Sequence, residues 1–504
     1  MQRIFCCDDK YSEVVRVLTE RGWTRLPLAH NGKKAILPRD AELVWTHLHA
    51  VCFEAVFGRV VNHMKGSQHW SNKAFLLRHL YASDLALCPP SWSPACHDIP
   101  HLLHLLFLDH VYSTAKQYLL SSHDQSSDSS FASTLDLLRK LHHRMLVIHK
   151  NGTNPPKIVD EPFERLLQSL LFSPSLQREQ LQNIVAEIEV DEPWRKFCGD
   201  QRIWILKPVG ASCGTDIVIA KGIHDVMRMV EEQFRYKCVV QKYIERPLLV
   251  RNRRKFDIRQ WVLLTSINPL VVYGFSEFYL RLSTAEYTVT DISSRQVHLC
   301  NHSVQTQYLV DNDLSSHCDN MMSKSDFIET LADLGYSSGL IEDFFRRLKH
   351  TCVTTVEAVR DRVERVGKGF EWLGFDLMVT ELLDVLLIEV NVSPDISPST
   401  SITKPLVYAA INDLMTMIEG ESVLEGSSAS YNTSRAAGVK DPSWHLWHVG
   451  DGLSAIDLRR VENEKRKRLE FDSEYSPKNI DICSGLLQFI GNPQAHSEQE
   501  EEEL

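Results

Sequence analysis

The chain has 504 residues, of which 43% are hydrophobic and 24% are charged, and its formal net charge is −11. These values are typical of a soluble globular protein with two or three structural units, and the negative charge argues against general affinity for nucleic acid or an anionic membrane. No run approaches the roughly 18 apolar residues needed to span a membrane, and the N-terminus lacks an apolar signal segment. The twelve cysteines include no CxxC pair, which favours free thiols in a reducing, cytoplasmic compartment over disulfides or zinc.

The first 200 residues mix short strand-like runs with longer helical patterns. The segment NHMKG (62–66) is a polar turn, and Ser71–Asn72 would cap the next helix, with Phe75 and Leu80 on its apolar face. Residues 101–120 are typical of a buried helix, whose histidines we assign to the core rather than to a metal. Further helical patterns and one Ser-rich, low-complexity loop complete the region, at 133–148 and 162–190 for the helices and 121–130 for the loop.

From residue 203 onward the pattern alternates between strands and helices. The predicted strands are 203–209, 217–220, 238–244, 255–267 and 269–283, and the predicted helices are 225–235, two runs within 325–366, and 404–420. Composition then divides the chain into four segments, which are an N-terminal mixed α/β region (1–200), a second α/β-patterned region (201–420), a linker (421–438) and a C-terminal extension with an acidic tail (439–504).

A β-hairpin is predicted where a turn at 381–384 joins two apolar runs. Glu389 and Asn391 stand two residues apart on the second strand, so both side chains leave the same face. Asp376 on the first strand lies about opposite them in that pairing. Two carboxylates and an amide oxygen suit a hard cation such as Mg²⁺ that also holds nucleotide phosphates. The alternative is a hairpin whose polar face simply meets water.

Two further stretches have the residue types of a phosphate or nucleotide site. Lys207 ends a strand before a loop of small residues that includes Ser212, Cys213 and Gly214. Such a loop lets backbone N–H groups approach phosphate, although it is neither a Walker A loop nor a dinucleotide fingerprint. In VVQKYI (239–244), the strand ends on groups able to bind an adenine edge, and its lysine could reach the α-phosphate. Taken alone, an ordinary turn and a solvated strand end explain these two patterns.

The stretch RRKFDIRQW (253–261) places several charges on one face of a strand. Lys255, Asp257 and Arg259 alternate with Phe256 and Ile258, and charges of both signs are unusual on a core-facing strand. They suit a groove that holds phosphates and a charged small substrate, and a surface ion-pair ladder is the alternative. On later stretches, Arg281 adds a cation, and Asn301 follows an apolar position in a predicted loop.

The order of these motifs from Trp204 to Leu406 resembles that of the tubulin–tyrosine ligase-like family, a group of ATP-grasp amino-acid ligases. The segment Asn62–Leu80 contains a similar N-H-x-x-G turn. Within the family, the stretches HLCNHSVQ and EVNVSPDISPSTSITKPL most resemble those of the tubulin glycylases. The resemblance implies an α+β ATP-grasp fold, with nucleotide held between two halves, and an additional mixed α/β N-terminal domain.

The resemblance also implies a role for each motif residue. ATP would phosphorylate a carboxylate, and the amine of a free amino acid would then attack the acylphosphate to form an amide bond. Arg259 and Arg281 would contact the γ-phosphate or the activated carboxylate, and Asn301 would position it. Asp376, Glu389 and Asn391 would hold Mg²⁺. The remaining residues would bind ATP, namely Lys207, Ser212, Cys213, Gly214, Gln241, Lys242, Tyr243, Ile244, Lys255 and Asp257.

One departure from the family concerns the phosphate loop, where relatives carry a basic residue and this chain has Ser-Cys-Gly-Thr-Asp at 212–216. The leading hypothesis is a ligase that adds glycine to glutamate side chains in the acidic tails of tubulin, acting on microtubules of the cytoplasmic cytoskeleton, including a ciliary or flagellar axoneme. The alternatives are a tubulin tyrosine or glutamate ligase, a weakly active or silent microtubule-binding member, and an ATP-grasp ligase unrelated to tubulin. Neither nucleic acid nor a membrane is an expected partner.

Overall fold

The structure is a computed structural model that describes residues 3–56, 58–83, 87–93, 99–120, 165–166, 169, 178–192, 195–210, 214–312, 320–424 and 443–451. The chain forms two compact units, the first built from 1–87, 248–287 and 295–469, and the second from 88–247, 288–294 and 470–504. These bounds do not coincide with the four segments expected from composition. The helix expected at 133–148, the 121–130 loop and most of the linker lie outside the described residues.

Sixteen strands and twelve α-helices are present in the described part of the chain. The strands are β1 (Ile4–Cys7), β2 (Thr24–Leu26), β3 (Ala29–Asn31), β4 (Lys34–Ile36), β5 (Leu43–Trp45), β6 (Val60–Val61), β7 (Ser91–Trp92), β8 (Ile203–Pro208), β9 (Val218–Lys221), β10 (Cys238–Lys242), β11 (Arg254–Ile267), β12 (Leu270–Glu286), β13 (Met321–Ser323), β14 (Glu371–Val379), β15 (Val385–Asn391) and β16 (Trp444–Val449). The helices are Ser12–Glu20, Gln68–Ser71, Lys73–Ala82, Ile99–Leu120, Arg178–Asp191, Arg195–Cys198, Gly222–Arg228, Arg295–His298, His302–Asp311, Lys324–Asp333, Ser338–Val359 and Thr403–Leu424. This mixture of strands and helices confirms the α+β class.

The first unit combines a small parallel sheet with a larger antiparallel one. The parallel sheet has the order β2-β1-β5-β6, and the antiparallel sheet runs β13-β12-β11-β14-β15, with β16 added against β12. A core of buried aromatic and aliphatic side chains joins both sheets to the helix Thr403–Leu424. Within that core, the Trp372 ring lies 6.2 Å from Trp45 and 5.3 Å from both Trp261 and Trp444. The N-terminal strands therefore share one core with the antiparallel sheet.

The predicted hairpin is the pair β14–β15, with Asp376 directly opposite Glu389 and Gly374 opposite Asn391. The turn is closed by hydrogen bonds from the Thr380 amide to the Asp384 carbonyl and from the Leu383 amide to the Thr380 carbonyl. The hairpin and its register are therefore confirmed.

The second unit has a four-stranded antiparallel sheet with the order β7-β10-β8-β9. Its buried side chains pack with those of Ile99–Leu120 and Arg178–Asp191 in a separate core. The expected buried helix is confirmed, and His101, His104 and His110 are core residues, as predicted. In this unit the helix expected at 225–235 begins three residues earlier and continues as a π-helical turn (Met229–Gln233). No helix within the described residues is both long enough and apolar enough to cross a membrane.

Candidate functional site

Two arginines and two aspartates form a buried cluster in the first unit, which we call the Arg–Asp cluster (Asp257, Arg259, Arg281 and Asp376). The strand register places Arg259 opposite Asp376 and Asp257 opposite Arg281. Arg259 donates from Nε to Asp376 Oδ1 at 2.6 Å, and Arg281 donates from Nε to Asp257 Oδ1 at 2.6 Å. Arg281 Nη2 also lies 2.9 Å from Asp376 Oδ2. Two of the charges expected on one face of β11, Asp257 and Arg259, therefore meet opposite charges across the sheet.

The pKa values of the two carboxyl groups in the Arg–Asp cluster are shifted in opposite directions. Burial by itself would raise the pKa of Asp376, but the Arg259 and Arg281 guanidinium groups hold that pKa well below its ordinary value. Burial raises the pKa of Asp257 above its ordinary value, although the charge of Arg281 opposes the rise. Asp376 is therefore a fixed anion between two cations, and ionised Asp257 is less strongly stabilised.

Glu389 and Asn391 lie beside the Arg–Asp cluster on the neighbouring strand. Asn391 donates from Nδ2 to Asp376 Oδ2 at 3.3 Å, and Glu389 Oε2 lies 3.4 Å from Lys73 Nζ. Gly374 makes this arrangement possible, since a Cβ there would lie 2.8 Å from Pro394 and 3.3 Å from Cδ of Arg259. We call Asp376, Glu389 and Asn391 the acidic edge. The sequence indicated its three members but neither Lys73 nor Gly374.

The acidic edge could hold a hard divalent cation. Two carboxylates and an amide oxygen are ligands that Mg²⁺ accepts, and Mg²⁺ commonly completes its shell with water and phosphate. The described residues contain no group of three or more His, Cys, Asp or Glu side chains placed to bind a metal, so protein ligands alone would not complete such a shell. Asp376 Oδ1 accepts from Arg259, whereas its Oδ2 receives the other contacts, so the carboxylate retains acceptor capacity. The donor chemistry therefore fits the expected ion.

Lys255 and Asn301 lie in the same unit, near the start of β11 and of the helix His302–Asp311. Lys255 is buried, and its Nζ donates to the His298 carbonyl at 2.8 Å. Burial lowers the pKa of this lysine. Asn301 precedes the helix without capping it through its side chain. The segment expected as a loop is therefore two helices with Asn301 at their junction.

The remaining candidates belong to the second unit, where Lys207 and Gln241 lie on the neighbouring strands β8 and β10. Lys207 Nζ donates to Gln241 Oε1 at 2.7 Å, and Gln241 Nε2 donates to Ser91 Oγ at 3.0 Å. Both side chains are buried. A lysine bonded to a neutral amide retains its charge for an anion, which is compatible with the expected phosphate contact.

Lys242 lies in a different environment, enclosed by two carboxylates. Its side chain is 1% exposed, and its Nζ lies 3.1 Å from Glu245 Oε1 and 3.4 Å from Asp109 Oδ2. Burial opposes the charge, but Asp109 and Glu245 more than offset it, so the pKa is raised. Contact with a phosphate would require this lysine to leave both carboxylates. Sequence reasoning missed this role because Asp109 is distant in the chain.

Tyr243 and Ile244, which follow Lys242, are buried, and the Tyr243 amide donates to the Ile203 carbonyl at 3.1 Å. The interstrand bonding thus continues to Tyr243, after the end of β10. Gly214 has a φ of +73° in the turn before β9. Ser212 and Cys213 lie outside the described residues, so the binding of phosphate by this loop stays a prediction.

The polar turn at 62–66 is held to the antiparallel sheet by Glu371 of β14. His63 Nδ1 lies 2.7 Å from Glu371 Oε1, and the Met64 amide donates to Glu371 Oε2 at 2.8 Å. Both side chains of the His–Glu pair are fully buried. His63 Nε2 also lies 3.4 Å from Oγ of Ser393, two residues beyond the acidic edge. The turn thus has an anchoring role that its sequence alone did not reveal.

Comparisons with known proteins show which sequences this chain resembles. The sequence profile of the tubulin-tyrosine ligase family matches residues 126–425. Tubulin glycylase 3B of Drosophila melanogaster is 36% identical over 235 residues, which are 46% of this chain and 31% of the relative. Tubulin monoglycylase TTLL3 of Danio rerio is 36% identical over 248 residues (48% and 31%), and protein monoglycylase TTLL8 of Mus musculus is 33% identical over 245 residues (47% and 29%). The chain therefore spans about a third of the length of these relatives.

Proposed function

Because the chain belongs to the tubulin-tyrosine ligase family, we propose that it is an ATP-dependent ligase that joins glycine by an amide bond to glutamate side chains of tubulin or a related acidic protein. The observation that carries the proposal is the Arg–Asp cluster, buried next to the acidic edge. The names of relatives that are 28–36% identical support glycine as the amino acid and tubulin as the acceptor. The α+β class supports the expected ATP-grasp fold, and tubulin as partner would place the protein at the cytoskeleton.

Asp376, Glu389 and Asn391 would hold Mg²⁺, and Lys207 with Gln241 would contribute to the ATP site, together with the backbone of Tyr243 and Ile244. Mg²⁺ would supply charge neutralisation to the phosphates. No catalytic step is assigned to Lys242, because its charge is already matched by buried carboxylates.

Arg259 and Arg281 would bind the acceptor carboxylate. Each guanidinium has five N–H donors, and the aspartate pairs of both arginines are made from Nε and Nη2. Their partners fix the two cations in place before substrate arrives, so little reorganisation is needed when negative charge develops on the carboxylate. Lys255, near the start of β11, and Asn301, just before the helix His302–Asp311, would contact the same substrate or the nucleotide.

The test uses purified protein with ATP, Mg²⁺ and tubulin, and supplies labelled glycine, glutamate and tyrosine in separate reactions. We expect incorporation of glycine that requires both ATP and tubulin. Incorporation of glutamate or tyrosine instead would overturn the choice of glycine while leaving the ligase reaction. No incorporation of any of the three by folded protein would contradict the ligase itself, and would favour a silent microtubule-binding member.

A further inference from the structure

A large cleft of about 1150 Å³ lies within the first unit, away from the Arg–Asp cluster. Five cationic side chains line it, and we call it the basic cleft after these residues, which are Arg3, Arg39, Arg59, Arg365 and Lys368. Asp40 and Glu42 are the acidic residues in its lining. The lining thus carries a formal charge of +3 (five minus two), in a chain whose net charge is −11.

Several cations of the basic cleft are held in place by the fold. Arg59 donates from Nη1 to the Ala55 carbonyl at 2.8 Å, and Arg365 donates from Nε to the Gly369 carbonyl at 2.8 Å. The Arg3 guanidinium lies over the Trp23 ring at 5.0 Å, and its Nη1 lies 3.7 Å from Glu419 Oε1. Hydrogen bonds to backbone carbonyls keep the positive charge of an arginine and fix its direction, so Arg59 and Arg365 are preorganised to bind an anion.

The basic cleft also has an apolar wall. Leu37, Val60, Met417 and Ile418 are half-buried side chains of its lining. A site that joins fixed cations to apolar surface fits a ligand with both kinds of group, since carboxylates pair with the arginines while a large side chain covers the wall. An inorganic anion would pair with the arginines but would leave the apolar wall uncovered.

The basic cleft and the Arg–Asp cluster lie at different positions along the same strands. Ser266 lies in the cleft lining near the end of β11, and Arg259 lies seven residues earlier on that strand. Phe370 in the lining precedes β14, on which Asp376 follows after six residues. At a rise of about 3.3 Å per residue, the two sites are roughly 20 Å apart along the sheet. An extended chain needs at least about six residues to cover that distance.

We propose that the basic cleft binds an acidic polypeptide segment that carries a large apolar side chain, as a docking site separate from the catalytic residues. If this segment is part of the acceptor protein, it lies at least about six residues from the modified glutamate; that identification rests on the proposed function. The binding of an acidic, apolar segment to the cleft does not depend on the proposed function.

The experiment measures anisotropy of a fluorescently labelled peptide that contains glutamates and one phenylalanine, with the full chain and without ATP or amino acid. We expect saturable binding that weakens with salt. Arg39→Glu should raise the Kd by roughly five- to thirtyfold, because an exposed cation of the cleft becomes an anion. Replacing the phenylalanine of the peptide by serine should raise the Kd by at least about fivefold.

Lys349→Glu is the matched control, since it makes the same charge change at an exposed position of the same unit outside the cleft lining. It should change the Kd by less than about twofold, as expected for an exposed, screened charge outside the lining. Equal losses in Arg39→Glu and Lys349→Glu would overturn the cleft as the site. Equal binding of the two peptides, or full displacement by millimolar inorganic phosphate, would overturn the polypeptide as the ligand.

A second cleft variant and a catalytic variant complete the design. Met417→Glu places a carboxylate on the apolar wall and should also weaken binding, which covers the case in which Arg39→Glu does not fold. Glu389→Gln should bind the peptide as the parent does. Peptide binding without ligation would contradict only the proposed function, and ligation without peptide binding would contradict only the docking site.

Discussion

Arg281 is the residue that contacts both aspartates of the Arg–Asp cluster. Its guanidinium contacts Asp257 at 2.6 Å and Asp376 at 2.9 Å. Arg281→Ala would leave two buried carboxylates with one cation, so we expect the free energy of unfolding to fall by about 3–5 kcal/mol. Arg281→Lys should retain part of that stability. Denaturant unfolding measures both variants, and a loss below about 1 kcal/mol for Arg281→Ala would show that the cluster is not the buried ion network described.

The two aspartates should respond to pH in opposite directions. Asp376 has a folded-state pKa below its ordinary value of 3.8, so its stabilisation is complete above that pH and is lost as the pH falls. Asp257 has a raised pKa, so its contribution to stability is greatest at low pH and declines as the pH rises. We therefore expect Asp376→Asn to be more destabilising than Asp257→Asn at neutral pH.

Urea unfolding of these two variants at neutral pH and near pH 3 provides the measurement. The penalty of Asp376→Asn should shrink on acidification, since the native carboxylate is then losing its advantage over the unfolded chain. A penalty that grows toward low pH would contradict the assignment of Asp376 as the stabilised anion.

Lys242 and Lys207 lie in different environments, and the proposed function assigns a phosphate contact only to Lys207. Lys242→Met would leave Asp109 and Glu245 buried without their cation, and we expect a loss of about 3–5 kcal/mol in the free energy of unfolding. Lys207→Met removes a hydrogen bond to the neutral Gln241 side chain, and should reduce stability by about 1 kcal/mol while weakening ATP binding. Calorimetric ATP titration and thermal unfolding measure both effects for the two variants. Weaker ATP binding by Lys242→Met, with the larger loss of stability in Lys207→Met, would instead indicate that Lys242 contacts the phosphate.

At the scale of elements, the turn at 62–66 depends on Gly66. Its φ is +94°, and a Cβ there would collide with the Arg362 carbonyl oxygen. Gly335 has a similar φ of +89° with open space around it, which makes it the matched control. Gly66→Ala should destabilise the protein by at least about 1 kcal/mol more than Gly335→Ala, because only the first adds a collision to the backbone strain. Equal thermal shifts would show that the turn does not pack closely against Arg362.

Local patterns predicted the elements better than they predicted the contacts. The β14–β15 hairpin and the Asn72 cap follow from alternation and capping chemistry within a few residues, and Asn72 accepts from the Ala74 and Phe75 amides. Phe75, expected on the apolar face, is 37% exposed, because tertiary packing selects which apolar residues are covered. The Lys242–Asp109 and His63–Glu371 contacts join residues over a hundred positions apart, which no local pattern encodes.

At the scale of the whole molecule, the sequence indicated the family but not the division into units. The 1–200 segment was expected to be separate, yet residues 1–87 share a unit with 248–287 and 295–469. The rings of Trp45 and Trp372 meet in that unit's core, and composition carries no signal of such a contact. By contrast, the Arg259–Asp376 and Asp257–Arg281 pairs followed once the strand register was known, since opposite charges face each other across the ladder.

The most direct measurement compares ATP-dependent incorporation of labelled glycine into tubulin by the parent chain, Glu389→Gln and Glu381→Gln. Glu389→Gln keeps the shape of the side chain but removes an anion from the acidic edge, whereas Glu381 lies exposed in the hairpin turn. We predict incorporation by the parent and by Glu381→Gln, and at least a roughly hundredfold slower reaction, about 3 kcal/mol in the barrier, for Glu389→Gln with an unchanged thermal melt. Parental rates in Glu389→Gln would contradict the metal-binding role of the acidic edge, and no incorporation by the parent would contradict the ligase.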